Sequence, residues 1–163
     1  MPTPDYILDL RRTYGSGRLL LPGVSAVVVR DDLGPPGVRH LLLVRRSDNG
    51  QWSVPAGIVE PGEQPAATMV RELLEETRVQ ATVDRLVLLT MDPEITYPNG
   101  DICQYVALTF RATYLGGEAV VGDDESTEVG WFVVDALPAG LSDEQLRRIA
   151  CGLDDRPACV FDV

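Results

Sequence analysis

Histidine is nearly missing from this chain: His40 is the only one in 163 residues. It lies in Arg39-His-Leu-Leu-Leu-Val44 and reads as a strand residue, which leaves Ser–His or Cys–His nucleophilic catalysis a poor fit. Cysteine is scarce as well. Cys103, Cys151 and Cys159 are odd in number and lack C-x-x-C spacing, which argues against a disulfide framework or a zinc site and for reduced thiols. There is no apolar run of 18 or more residues to span a membrane. The start, Met1 to Asp5, has neither the basic nor the apolar region of a secretory signal, so the cytoplasm is the expected compartment. Positive charge is short: 14 basic residues face 25 acidic ones, a net charge of -11. That balance argues against a basic face for polymeric nucleic acid, while an anionic nucleotide bridged by divalent cations stays compatible. With no internal repeat and no low-complexity tract, the expectation is one domain over 1–163, with residues 1–20 as an N-terminal helix-and-strand extension.

What is there reads as strands around two main helices. Residues 5–14 place Tyr6, Leu10 and Tyr14 on one helical stripe beside Ile7, a helix that either docks on the domain or packs against a second copy in a homodimer. Arg18–Leu21 and Val24–Val29 read as strands, Asp31–Gly37 as a loop, and Val38–Arg46 as the returning arm of a hairpin. Further strands are expected at Thr82–Met91, Ile102–Tyr114, Glu118–Val121 and Val129–Val134. Ser142 should cap a helix running to about Gly152, with Asp143 and Glu144 in its first turn. This order argues an α/β layered domain with a mixed sheet.

The most informative stretch runs from Gly57 to Val79. Pro61 and Gly62 mark its first half as a loop. Pro65 then suits a first helical position, and good helix formers continue to about Thr77. Val70, Leu73, Leu74 and Thr77 follow the i, i+3, i+4, i+7 rhythm of a core-facing stripe. Glu72, Glu75 and Glu76, three and four apart, then crowd one side, where like charges repel by about 0.2–0.5 kcal/mol per pair. Three such glutamates on an arbitrary helix are ordinarily a solvated acidic face. Carboxylates are also the ligands that Mg²⁺ and Mn²⁺ prefer.

The spacing favours the second reading. Gly57, Glu63, Arg71-Glu72-Leu73, Glu75-Glu76 and Val79 form G-x5-E-x7-R-E-L-x-E-E-x-R-V, which resembles the signature of the Nudix hydrolases. Arg78 departs from it, standing where the pattern has glycine, and Ala56-Gly57 replaces the usual Gly-Gly. A Cβ in the left-handed conformation that such a glycine commonly adopts costs roughly 1 kcal/mol.

The resemblance implies a Nudix-type α/β/α sandwich with a mixed sheet, and hydrolysis of the pyrophosphate linkage in a nucleoside diphosphate derivative by water attack at phosphorus. It implies Mg²⁺ or Mn²⁺ held by Glu72, Glu75, Glu76 and the Gly57 carbonyl. Glu75 or Glu76 would also orient the water, and Arg71 would hold a carboxylate. Glu63 would fix the loop to the helix. The family often draws its general base from a later loop, here Asp123, Asp124, Glu125 or Glu128, of which Glu125 resembles a downstream metal-binding glutamate. Arg45, Arg46, Trp52 and Tyr97 are the candidates for substrate binding. Tyr97 resembles a tyrosine of dinucleoside polyphosphate hydrolases, while Pro93 and Pro98 fall near, but not at, a proline of ADP-ribose members. The competing expectation is a Nudix-fold domain that binds a nucleotide or nucleotide sugar as a sensor without turning it over.

Overall fold

A computed structural model of the protein describes residues 4–97 and 99–162, so the first three residues, Pro98 and Val163 lie outside it. The elements are α1 (Asp5–Tyr14), β1 (Leu19–Arg30), β2 (His40–Arg46), β3 (Trp52–Ser53), β4 (Ala56–Ile58), α2 (Pro65–Thr77), β5 (Gln80–Met91), β6 (Ile95–Thr96), β7 (Ile102–Gly116), β8 (Ser126–Val133), α3 (Asp143–Leu153) and β9 (Val160–Phe161).

β1 is the hub of a mixed sheet. It runs parallel to β7 in unbroken register from Leu19↔Cys103 to Val29↔Thr113. Its other edge is shared: β4 pairs antiparallel with Gly23–Ser25, and β2 takes up the pairing only at Val29 and Arg30. β7 continues to β5, and β2 carries β3 and β8. The two strands expected at Arg18–Leu21 and Val24–Val29 are therefore one, because Pro22 needs no ladder donor at that point.

Alternation along β1 assigns the two faces. Val24, Ala26 and Val28 pack with Leu42, Phe110, Met69 and Leu73, which seats α2 on one face. Val27, Val29, Leu41 and Leu43 pack with Ile149, which seats α3 on the other. α3 begins as expected, with the Ser142 hydroxyl accepting the Gln145 N–H at 3.2 Å. The expected α/β/α sandwich with a mixed sheet is what forms.

α1 docks on its own domain. Ile7 is buried with Leu19, Leu21, Cys103 and Tyr105, and Arg11 donates to the Ile102 carbonyl at 2.9 Å. The expected stripe is only partly covered, since Leu10 and Tyr14 are exposed. Cys103, Cys151 and Cys159 are all free thiols.

Two corrections bear on the site. Glu118–Val121 is not a strand; this segment crosses the end of α2, where the Val120 N–H donates to the Thr77 carbonyl at 3.1 Å and the Gly122 N–H to the Glu76 carbonyl at 2.9 Å. Helix carbonyls that lack an intrahelical partner are satisfied there instead of in a sheet. The core-facing stripe of α2 is also rotated from the expected one. Leu73 and Thr77 are buried as expected, but Val70 and Leu74 are 40% and 44% exposed, while Glu72 and Glu76 are buried.

Candidate active site

The sequence places glycine at position 57, and the fold uses the missing side chain. β4 runs Gly57 past α2 so closely that a Cβ there would stand 2.2 Å from the Glu72 carboxyl carbon and 2.3 Å from its Oε1. Ala56, by contrast, is exposed and is not among the residues at positive φ, so its methyl is accommodated in β4.

The loop between β4 and α2 is held by Glu63. Its carboxylate accepts from Arg71 Nε at 2.9 Å and Nη2 at 3.0 Å, from the Thr68 hydroxyl at 2.9 Å, and from the Glu60 N–H at 3.2 Å. Arg71 holds the Glu63 carboxyl down to about 2, with the Thr68 hydroxyl and Glu60 N–H assisting. This is the loop-fixing role expected of Glu63. The Arg71 guanidinium also reaches Glu75 at 2.9 Å and Glu72 at 3.1 Å, so one cation spans three carboxylates.

Glu72 and Glu76 are different in kind. Burial pushes the Glu72 carboxyl up to about 7; Arg71 opposes this, and the charges of Glu75 and Glu125 add to it. Burial likewise pushes Glu76 up to about 7. The Ser126 hydroxyl donates to Glu76 Oε1 at 2.9 Å and opposes the shift, Asp123 and Glu125 add to it, and the Ala56 N–H opposes it. Glu76 Oε2 is buried with no completed hydrogen bond. A partnerless carboxylate oxygen in the interior is costly unless a cation or proton takes it.

These observations test the fit of a divalent cation. The orphaned Glu76 oxygen, the Glu72 carboxyl in the space a Gly57 Cβ would fill, and all-oxygen donors suit a hard ion. Among the described residues no three acidic, histidine or cysteine side chains stand together in an arrangement that could hold a metal ion. The reason is visible in the contacts: Arg71 draws Glu75 and Glu72 toward itself. The groups that could turn to hold an ion are thus Glu72, Glu75 and Glu76, beside the Gly57 backbone. A cleft of about 500 Å³ opens next to them, lined by Glu60, Glu63, Arg71, Glu75, Arg78 and Asp123 among others.

The remaining candidates divide by face. Alternation along β2 puts Arg46 with Leu42 on the α2 face and Arg45 with Leu41 and Leu43 on the α3 face. Arg46 pairs bidentately with Asp48 at 2.6 and 2.9 Å and lies within the field of Tyr97 and Glu125. Arg45 is drawn away, donating to Glu128 at 2.5 Å and to the Gly50 carbonyl at 3.0 Å. Trp52, opposite Arg45 in the β2–β3 ladder, packs edge-on to Phe132 at 4.8 Å in the α3-side core. The fold does not bring Arg45, Trp52 or Glu128 to the carboxylates. Tyr97 packs beside Ile58 and shares a 2.9 Å hydrogen bond with the Tyr105 hydroxyl. Glu125 is held by its backbone carbonyl, which accepts the Ser47 N–H at 2.8 Å, and its charge acts on both Glu72 and Glu76.

Two contributors escape the sequence reading. Ser126 anchors Glu76, but it precedes the expected start of its strand at Val129. Tyr6 donates its hydroxyl to the Val59 carbonyl of the loop at 3.1 Å, and only its place on the α1 stripe marked it.

A mixed sheet between helices, with a glutamate-lined cleft beside one helix, defines an α/β sandwich carrying a site of oxygen donors. The chain matches the NUDIX domain family over residues 19–151 and belongs to that family of hydrolases. A MutT-like protein from Streptomyces ambofaciens is 34% identical over 131 residues, 80% of this chain and 75% of that protein. The NAD-capped RNA hydrolase NudC from Pseudomonas putida is 34% identical over 119 residues, 72% of this chain but 38% of that protein's length. Among solved structures, the MutT NUDIX hydrolase from Burkholderia pseudomallei is similar at a TM-score of 0.60 and 27% identity, over 81% of this chain and 97% of that one. Among the described residues no helix is long and apolar enough to cross a membrane.

Proposed function

We propose that this hydrolase uses Mg²⁺ or Mn²⁺, held by Glu72, Glu75, Glu76 and the Gly57 carbonyl, to split the pyrophosphate linkage of a nucleoside diphosphate derivative. The observation that carries the reading is the buried, partnerless Glu76 oxygen beside Glu72. Two carboxyls with pKa values near 7 in one niche have little purpose in a solvated acidic face and a clear one under a cation.

Bound divalent ions would neutralise the phosphates and acidify a water. The chain's own residues do the rest. Water attacks phosphorus, the bond to the bridging oxygen breaks, and two phosphate-bearing products leave. Glu125 takes the water's proton, a role that suits a carboxylate close enough to act on both Glu72 and Glu76. Arg71 keeps Glu75 and Glu72 in place by charge-assisted hydrogen bonds. Arg46 and Tyr97, on the Glu125 side, are the better placed of the substrate-binding candidates. A net charge of -11 makes a free nucleotide or nucleotide sugar the expected substrate. The relative acting on NAD-capped RNA makes a capped 5′ end the alternative, one that needs only the terminal pyrophosphate to enter.

The test is product release with and without Mg²⁺ over dNTPs, nucleoside diphosphate sugars, ADP-ribose, dinucleoside polyphosphates, NAD and an NAD-capped oligonucleotide. Turnover of one class, at least about 100-fold faster with metal, is the expected result. Ligand-dependent thermal stabilisation with no product from any compound would replace the hydrolytic reading with that of a nucleotide sensor.

A further inference from the structure

Arg78 stands where the family signature has glycine, and it keeps the glycine's backbone. With φ 59° and ψ 10° it is the only non-glycine at positive φ among the described residues. The strain of a Cβ in that region has to be offset by what the side chain binds. Arg78 Nη2 donates to the Gly122 carbonyl at 2.6 Å.

Gly122 is the last residue before the acidic turn Asp123–Glu125, and it is held from both sides. Its N–H donates to the Glu76 carbonyl at 2.9 Å, and its own carbonyl accepts from Arg78. It lies so flush against α2 that a Cβ there would stand 2.0 Å from the Glu75 carbonyl oxygen. Gly117, at the other end of the crossing, would place a Cβ 2.3 Å from the Arg78 carbonyl oxygen. Beyond Gly122 the turn is closed by the Glu125 N–H donating to Asp123 Oδ1 at 3.0 Å and by Ser47 holding the Glu125 carbonyl. The turn brings the charges of Asp123 and Glu125 to bear on Glu76, and that of Glu125 on Glu72, a like-charge repulsion that works against the close approach. Backbone bonds alone fix the near side of Gly122; the Arg78 guanidinium fixes the far side and adds a positive charge at the cleft rim.

We propose that Arg78 is a positioning residue that clamps Gly122 and thereby holds the Asp123–Glu125 turn over the cation-binding glutamates. The inference rests on the hydrolase reading for its purpose but not for its geometry. Arg78→Gly restores the signature residue, relieves the backbone and removes the clamp; Arg78→Lys keeps one donor and the charge. The expected result for Arg78→Gly is Mn²⁺ affinity, read by calorimetry, weakened about tenfold, as for other residues that orient metal ligands. Amide exchange should quicken across 120–126, with an unchanged or higher melting temperature and an unchanged KM at saturating Mn²⁺. Arg78→Lys should recover part of the affinity. Unchanged exchange and Mn²⁺ affinity in Arg78→Gly would overturn the clamp, as would a raised KM with Mn²⁺ affinity intact, which would make Arg78 a substrate contact. Wild-type protein that binds no Mn²⁺ would sink the hydrolase reading, and the exchange comparison would still decide the clamp.

Discussion

Glu76→Gln should lower turnover by about 10³-fold or more while making the metal-free protein more stable at pH 8. Most substitutions of buried groups lose both. Here the two separate, because burial carries this carboxyl from its ordinary 4.5 up to about 7. A raised carboxyl favours its neutral form in the folded state. Its contribution is therefore fully present below pH 4.5 and is lost as the pH rises through 7. For a group this buried the difference amounts to as much as about 3 kcal/mol, and Glu72, raised to about 7 as well, adds to it. Stability measured in EDTA should thus fall between pH 5 and pH 8, and saturating Mg²⁺ should restore it, since a cation favours the ionised form. Glu63 works in the opposite direction: held at about 2 by Arg71, it contributes stability that is lost as the pH falls below 4.5. Glutamine keeps the shape and the Ser126 hydrogen bond but never ionises, so it removes the alkaline penalty together with the ligand. Denaturant titrations of both proteins at pH 5 and pH 8, beside turnover, check this. A mutant less stable than wild type at pH 8 would show that Glu76 is paired rather than strained.

Gly57→Ala should cost about 100-fold in activity with a shift of only a few degrees in melting temperature. The new methyl would overlap the Glu72 carboxyl at 2.2 Å. β4 is fixed by its ladder with β1, and α2 by Met69 and Leu73 in the core, so neither backbone yields easily. The Glu72 side chain is what can move, and moving toward water relieves its own desolvation. That offsets much of the overpacking cost, which is typically about 1–3 kcal/mol. The fold survives; the donor set does not. Ala56→Gly, one residue away on an exposed site, is the control and should leave turnover within about twofold, as for ordinary surface changes. Equal activity in Gly57→Ala and wild type would mean that Glu72 is not required where the structure puts it.

The sequence is most informative where local chemistry decides the outcome. Pro65 and Thr77 bound α2 because proline opens a helix and the left-handed Arg78 closes it. The loop-anchoring role of Glu63 is legible only through the resemblance to the signature, and its partner Arg71 is found in the structure. Periodicity misassigns the buried face of α2 for a physical reason. It treats carboxylates as solvent-seeking, and the site buries Glu72 and Glu76 at the expense of Val70 and Leu74. Such local conflicts concentrate at functional sites. The faces of Arg45, Arg46 and Trp52 depend on which strands pair and in what register, which no short stretch encodes. Ser126 and the crossing at Gly122 are contacts across about 50 residues of chain, beyond any local pattern.

The most direct test of the central claim, that two buried and strained carboxyls exist to hold divalent cations, is a calorimetric Mn²⁺ titration at pH 7 in two buffers of different ionisation enthalpy. Near their pKa values Glu72 and Glu76 are partly protonated, so binding must release protons and the apparent heat must depend on the buffer. The account predicts saturable binding with proton release, both abolished in Glu76→Gln. Saturable binding with no proton release, or binding that survives Glu76→Gln unchanged, would contradict it.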